Sequence, residues 1–215
     1  MRRVLVATAF FALPIAVQAQ APTNTAPAFP AGWVVRADEP PTADLGKLSF
    51  TAMSRGWHVT TGPVHAIFYR PGTTAAGNFT ATLDAYLFGP PGTYPEGYGI
   101  FIGGSDLAGA KQSYLYFVAA NNGKFLLKKR TGATTATLID WTPSTAIKTV
   151  PAGDKGNVEN VFTVHAAKDS VRFSINGVVV ATRPRGETNV DGVVGFRINH
   201  SLSVHVAALT VTKDR

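Results

Sequence analysis

The chain of 215 residues contains no cysteine. That excludes disulfide staples, thiol nucleophiles and thiolate metal sites, and it leaves packing as the source of stability. Helical periodicity is missing too: no apolar repeat at three and four residues is sustained over three turns, which argues against bundles and alternating strand–helix folds. No repeat of fixed period occurs, which disfavours a propeller. Long hydrophobic runs are confined to the start of the chain. "VLVATAFFALPIA", residues 4–16, is shorter than the ~20 residues that span a bilayer and is interrupted by Pro14. With Arg2 and Arg3 before it and the small residues of "VQA", ending at Ala19, behind it, this stretch predicts a signal peptide over residues 1–19. The expectation is a secreted or periplasmic protein with no membrane insertion after signal removal.

Acidic residues are few, 13 against 20 Lys and Arg, for a formal charge of +7 that falls by two without Arg2 and Arg3. A basic surface favours anionic partners. The basic residues are scattered and the chain reads as exported, so nucleic acid is not an expected partner. The one local run, "LLKKR" at residues 126–130, lies in a predicted strand, where alternation sends neighbouring charges to opposite faces. Guarding a strand edge against foreign pairing is one use for it. Binding an acidic polysaccharide is the other.

What is present is β-structure. After a Pro, Ala and Thr-rich linker over residues 20–32, residues 33–213 show roughly a dozen short alternating segments parted by Gly, Pro, Asn and Asp. In "NFTATLDAYLF" one face takes Phe79, Ala81, Leu83, Ala85 and Leu87 and the other takes Thr80, Thr82, Asp84 and Tyr86. "VFTVHA" sets Phe162, Val164 and Ala166 against Thr163 and His165, and "SVRFSI" sets Val171, Phe173 and Ile175 against Arg172 and Ser174. A period of two means one buried face per strand. Asn176-Gly177 and Asn122-Gly123 are hairpin signals, because both central turn positions need positive φ. "TTGP", Thr60 to Pro63, is read as a turn folding "WHV" back on "VHAIFY". The pattern predicts an all-β fold, a two-sheet antiparallel jelly-roll sandwich.

The succession from Trp57 through "GYGIFIGG", "SYLYF" and "VRFSINGVVVA…DGVVGFRI" resembles the concanavalin A-like lectin/glucanase superfamily in its laminin-G-like form. It is most similar to secreted bacterial domains of the 3-keto-disaccharide hydrolase type. The resemblance covers about residues 33 to 213 and implies a concanavalin A-like sandwich, with carbohydrate binding or glycoside cleavage as the functions to expect. Fold of this kind speaks less to activity than to architecture.

Catalytic motifs fail at named positions. In "GGSDLAGAK" Gly104 and Gly109 have phosphate-loop spacing, but Ala110 stands where lysine is needed and no Ser or Thr follows Lys111 at the metal position. Gly103–Leu107 lacks the second glycine of a nucleophile elbow. The single-strand E-x-D-x-x-E run of related glucanases is absent, leaving isolated acids at Asp84, Glu96, Asp106, Asp140 and Asp191. His58, His65, His165, His200 and His205 show no metal-ligand spacing, so no metal site is expected from the sequence.

The remaining candidates suit sugar recognition, in which rings stack on pyranose faces and polar tips bond hydroxyls. In "SYLYF", Tyr114 and Tyr116 share a face; in "VVGFRINH", Arg197 and Asn199 oppose inward Val194, Phe196 and Ile198; His205 opposes Val204 and Val206. These five are predicted to share a concave sheet face. Asp106, in the loop, could hold a sugar hydroxyl or a calcium ion, or serve only its own turn; no other cofactor is expected. Three functions remain open: a carbohydrate-binding sandwich whose partner is a carbohydrate or polysaccharide, neutral or acidic; a glycoside-cleaving enzyme; and a structural or adhesive envelope protein.

Overall fold

The structure is a computed structural model that describes residues 28–39, 43–90 and 94–214. The expected signal peptide and most of the linker lie outside the described residues. In chain order the first strands are β1 (Val34–Glu39), β2 (Ser49–Ala52), β3 (Trp57–Thr60), β4 (His65–Ala75), β5 (Phe79–Phe88), β6 (Gly97–Ser105) and β7 (Ser113–Ala120). They are followed by β8 (Lys124–Thr131), β9 (Thr134–Pro143), β10 (Asn157–Ala166), β11 (Ser170–Ile175), β12 (Val178–Pro184), β13 (Gly192–Ile198) and β14 (Ser203–Lys213). Sheet A has the order β1-β4-β13-β6-β7-β8-β9, and sheet B the order β12-β11-β10-β5-β14-β3-β2. Every pairing is antiparallel. The two sheets form the expected jelly-roll sandwich.

Alternation explains the packing. On β5 the residues Phe79, Ala81, Leu83, Ala85 and Leu87 are buried while their neighbours stay partly exposed, and β10 and β11 repeat the pattern from Phe162 and Val171. These inner rows meet sheet A across one core. At one end Phe68 and Phe196 stack with centroids 4.8 Å apart, flanked by Phe50 and Trp33. At the other, Phe117 packs edge-on against Phe162 and Phe173. The Asn176-Gly177 turn has φ of +51° and +81°, as a two-residue hairpin linking β11 and β12 requires.

Two expectations about connections are corrected. "TTGP" does not close a hairpin, since β3 lies in sheet B and β4 in sheet A. The corner instead passes between sheets, tied by Thr61, whose N–H bonds the Leu202 carbonyl at 3.0 Å and whose hydroxyl donates to the Asn199 carbonyl at 2.6 Å. "LLKKR" does not guard an edge either: β8 runs between β7 and β9, and Arg130 is buried. "GGSDLAGAK", by contrast, is the bend between the paired strands β6 and β7.

Candidate functional site on the outer face of sheet A

β6 and β7 are buried on both faces. Their inner residues join the core, and their outer ones, Phe101, Tyr114, Tyr116 and Val118, form a second cluster with Ile67, Tyr69, Leu107 and Leu126. The outer face is therefore not a plain solvated surface. It is also curved. Asp38 on β1 forms an ion pair with Arg130 on β8 at 2.7 Å, although these strands are five steps apart in the sheet. A flat sheet would separate them by about 24 Å at ~4.8 Å per strand, farther than the two side chains reach. A register shift between Ala37 and Glu39 pushes Asp38 out of the ladder toward this face.

The same carboxylate pairs with Arg197 of β13. Arg197 also donates to the Tyr114 hydroxyl at 3.2 Å and lies 4.6 Å above the Tyr116 ring. Burial pushes the Tyr114 phenol far above its usual pKa, so it stays neutral. For Arg197, burial works against the charge, but Tyr114 and Asp38 outweigh it and the guanidinium is held firmly protonated. This buried Arg–Asp–Arg bridge is a ridge that divides the curved face into two depressions. One, about 280 Å³, lies among Arg36, Asp38, Ala110, Gln112 and Arg130.

The other, about 240 Å³, is bordered by His65, Glu96, Tyr116, Lys128, Trp141 and Asn199. Glycines give it depth. A Cβ on Gly97 would lie 3.2 Å from the Trp141 ring, and one on Gly99 or Gly195 would collide with the carbonyl of Phe117 or Phe68. Bare backbone at Gly97 thus leaves room for an edge of the half-buried Trp141 ring, on edge strand β9, beside the floor. Lys128, half-buried, projects from the same face of β8 as Arg130 and has no ion-pair partner among the described residues.

At the end of this depression the Thr61–Gly62 corner brings two further chain segments together. Its bonds to Asn199, Ser201 and Leu202 pin the start of β4 against the β13–β14 loop, so the His65 and His200 rings meet edge to face at 4.6 Å. Glu96, just before β6, accepts from His200 Nε2 at 3.0 Å and from Asn199 Nδ2 at 3.0 Å. Burial first, and then the Arg197 charge, hold His65 below its usual pKa. Among the described residues, His65, Glu96 and His200 bring one ligand-type atom each to within 4.8 Å of one another.

The residues predicted from sequence are thus only partly gathered. Tyr116, Arg197 and Asn199 meet on this face. Tyr114 is on it but is 1% exposed, beneath the ridge, where it holds Arg197 and presents no ring to a ligand. The expectation of one shared face fails at His205. It belongs to β14 in sheet B, beside His58 and Tyr86 on the opposite side of the sandwich. Asp106 is exposed with φ +47° and serves its own loop: its carboxylate accepts from the Lys111 N–H at 3.0 Å and its carbonyl from the Gly109 N–H at 2.8 Å. His65, Glu96, Lys128, Trp141 and Asp38 were not singled out for this face. They come from five separate segments, and the one available hint was the near-continuous apolar run of β6 and β7, which marks strands covered on both sides.

The outer face of sheet B carries its own polar set. Tyr86 donates to Glu159 at 2.7 Å, and that bond holds Glu159 below its usual pKa. Burial, then Glu159 itself, raise Asp84. Burial and the neighbouring His205 lower His58 from 6.5. The unfolded chain protonates His58 near 6.5 while the folded one resists, so the unfolded state binds more protons below that pH and this contribution to stability falls as pH drops. Urea unfolding measured across that range should show a shallower acid-side loss in His58→Asn than in the wild type.

No protein-family model and no curated sequence matches the chain. Solved structures do match. The carbohydrate-binding module CBM66 from Bacillus subtilis aligns with a TM-score of 0.60 at 9% identity, over 85% of this chain and 96% of that one. A protein of unknown function with a galectin-like fold, also from Bacillus subtilis, gives 0.56 at 16% identity over 84% and 89%. The Emp47p carbohydrate recognition domain gives 0.56 at 10% identity over 86% and 90%. The likeness is one of fold: the chain is a two-sheet jelly-roll sandwich, as these proteins are.

Proposed function

We propose that this chain is an exported carbohydrate-binding module that holds a sugar in the depression between Trp141, Tyr116, Lys128 and Asn199. The observation that carries this reading is the Trp141 ring packed beside Gly97 in a curved, water-accessible cleft that Lys128 and Asn199 also border. An aromatic face receives the apolar side of a pyranose while amide and ammonium groups bond its hydroxyls. The fold shared with a carbohydrate-binding module and a carbohydrate recognition domain supports the same use. Lys128, with Arg130 and Arg197 behind it, outweighs Glu96 and the bridged Asp38 in charge, which favours an acidic saccharide. Within the site Tyr116, Arg197 and Asn199 are binding residues, Tyr114 supports Arg197, and Asp106 shapes the β6–β7 loop. Export rests on the signal peptide expected over residues 1–19, and no helix among the described residues is long and apolar enough to cross a membrane.

A glycan array of neutral and acidic oligosaccharides tests the proposal. The wild type should retain acidic glycans, and Trp141→Ala should weaken them at least about tenfold, equivalent to about 1.4 kcal/mol. Lys128→Ala should remove the preference for acidic over neutral sugars together with its salt dependence. Undiminished binding by Trp141→Ala, or no glycan bound at all, would sink this site. Turnover of a glycoside in the same screen would instead favour a glycoside-cleaving enzyme of the 3-keto-disaccharide hydrolase type.

A further inference from the structure

We infer that His65, Glu96 and His200 form a binding site for one divalent transition-metal ion of the zinc class, at the rim of the sugar depression. The three side chains come from the start of β4, the approach to β6 and the β13–β14 loop, and their ligand-type atoms already lie within 4.8 Å of one another. A tetrahedral ion with bonds of about 2.0–2.2 Å needs only modest side-chain rotation to collect them. Two imidazoles and a carboxylate are a nitrogen-rich set that suits Zn²⁺, Ni²⁺ or Co²⁺, whereas Ca²⁺ wants six to eight oxygens.

Two independent features point to a ligand rather than to a plain ion pair. His65 Nδ1 is buried and makes no hydrogen bond of normal geometry, a cost that a native site normally avoids by pairing the atom; Asn199 stands beside the ring but its amide is committed to Glu96 and Arg197. The carboxylate is also held from behind. Asn199 donates to Glu96 Oε2 at 3.0 Å, while its own Oδ1 accepts from Arg197 Nε at 3.1 Å, and Arg197 is fixed by Asp38. Such a chain aims a metal-binding oxygen, as outer partners do in known metal sites. Three protein ligands leave at least one coordination position, which water or a ligand oxygen would take.

The test uses tag-free protein stripped with EDTA, titrated with ZnCl₂ and separately with CaCl₂ by calorimetry, with thermal unfolding in parallel. One Zn²⁺ should bind per chain and raise the Tm, as any ligand of the native state does, and Ca²⁺ should bind far more weakly. Glu96→Gln and His200→Ala, both at partly exposed loop positions, should retain the unliganded Tm and lose Zn²⁺ binding. Asn199→Ala, a positioning change, should weaken binding by about 10–100-fold. His165→Ala, on sheet B, should bind like the wild type. Absence of Zn²⁺ binding, binding that survives Glu96→Gln and His200→Ala, or equal affinity for Ca²⁺ overturns the inference. Titration without sugar separates this result from the carbohydrate reading, which stands or falls on the glycan array.

Discussion

Asp38→Ala is expected to lower folding stability by about 3–5 kcal/mol, the usual cost of removing one partner from a buried ion pair and stranding the other charge. Here two buried guanidiniums would lose the same carboxylate, because Arg130 and Arg197 both rest on it and their side chains are 4% and 5% exposed. At about 2–4 °C per kcal/mol for a chain of this size, the Tm should fall by about 6–20 °C. Binding should suffer as well, since the ridge that holds β1 against β8 would open and the Tyr116 floor would lose the guanidinium above it. Replacing all three charged residues by apolar ones of similar volume should recover much of the stability without recovering sugar binding. Thermal unfolding of the single and triple variants separates these effects. A shift below about 2 °C for Asp38→Ala would show that the bridge is not a structural element.

Asn160→Ala is the second large effect expected, at about 3–5 kcal/mol, from the buried Tyr98 hydroxyl and the partly buried Lys148 and Asn176 groups left unpaired at about 1–3 kcal/mol each. Asn160 is 0% exposed on the inner row of β10. Its Nδ2 donates to the Tyr98 hydroxyl at 2.8 Å and to the Lys148 carbonyl at 2.9 Å, and its Oδ1 accepts from the Lys148 N–H at 3.0 Å and from Asn176 Nδ2 at 2.9 Å. One side chain therefore ties both sheets to the connection between β9 and β10, whose Ile147 and Val150 complete the core. Asn121 clamps the same connection through both the N–H and the carbonyl of Val150. Denaturant unfolding of Asn160→Ala should show the loss. Adding Tyr98→Phe should restore part of it, because removing both members of a buried pair costs less than removing one. No recovery in the double variant would place the cost in packing instead.

The strands were readable because burial acts on each strand locally. A period of two in "NFTATLDAYLF" or "SVRFSI" already states which row is inside, and Asn176-Gly177 states where the chain reverses. The "TTGP" corner shows the limit of that reasoning. Its residues call for a bend, and whether the next strand pairs beside the last or crosses to the other sheet depends on Thr61 finding Asn199 and Leu202, about 140 residues away. The same holds for His205, whose alternation is correct and whose sheet is not the one expected. Alternation assigns inside or outside, and says nothing about which of two outsides.

The candidate site lies wholly in that gap. Tyr116, Arg197 and Asn199 were recognisable as outward polar and aromatic residues on predicted strands. Asp38 to Arg197 spans 159 positions, and His65, Glu96 and His200 sit far apart in the chain with no recurrent spacing. By itself the sequence determined a cysteine-free, all-β chain with a defined inner row on each strand, because composition, hydrophobic period and turn chemistry are local. Only the tertiary structure decided that sheet A curls until β1 meets β8, that Trp141 packs beside Gly97, and that two histidines and a glutamate converge at the rim of that depression. Curvature and convergence are set by strand order and long-range pairing, which residue pattern does not encode position by position.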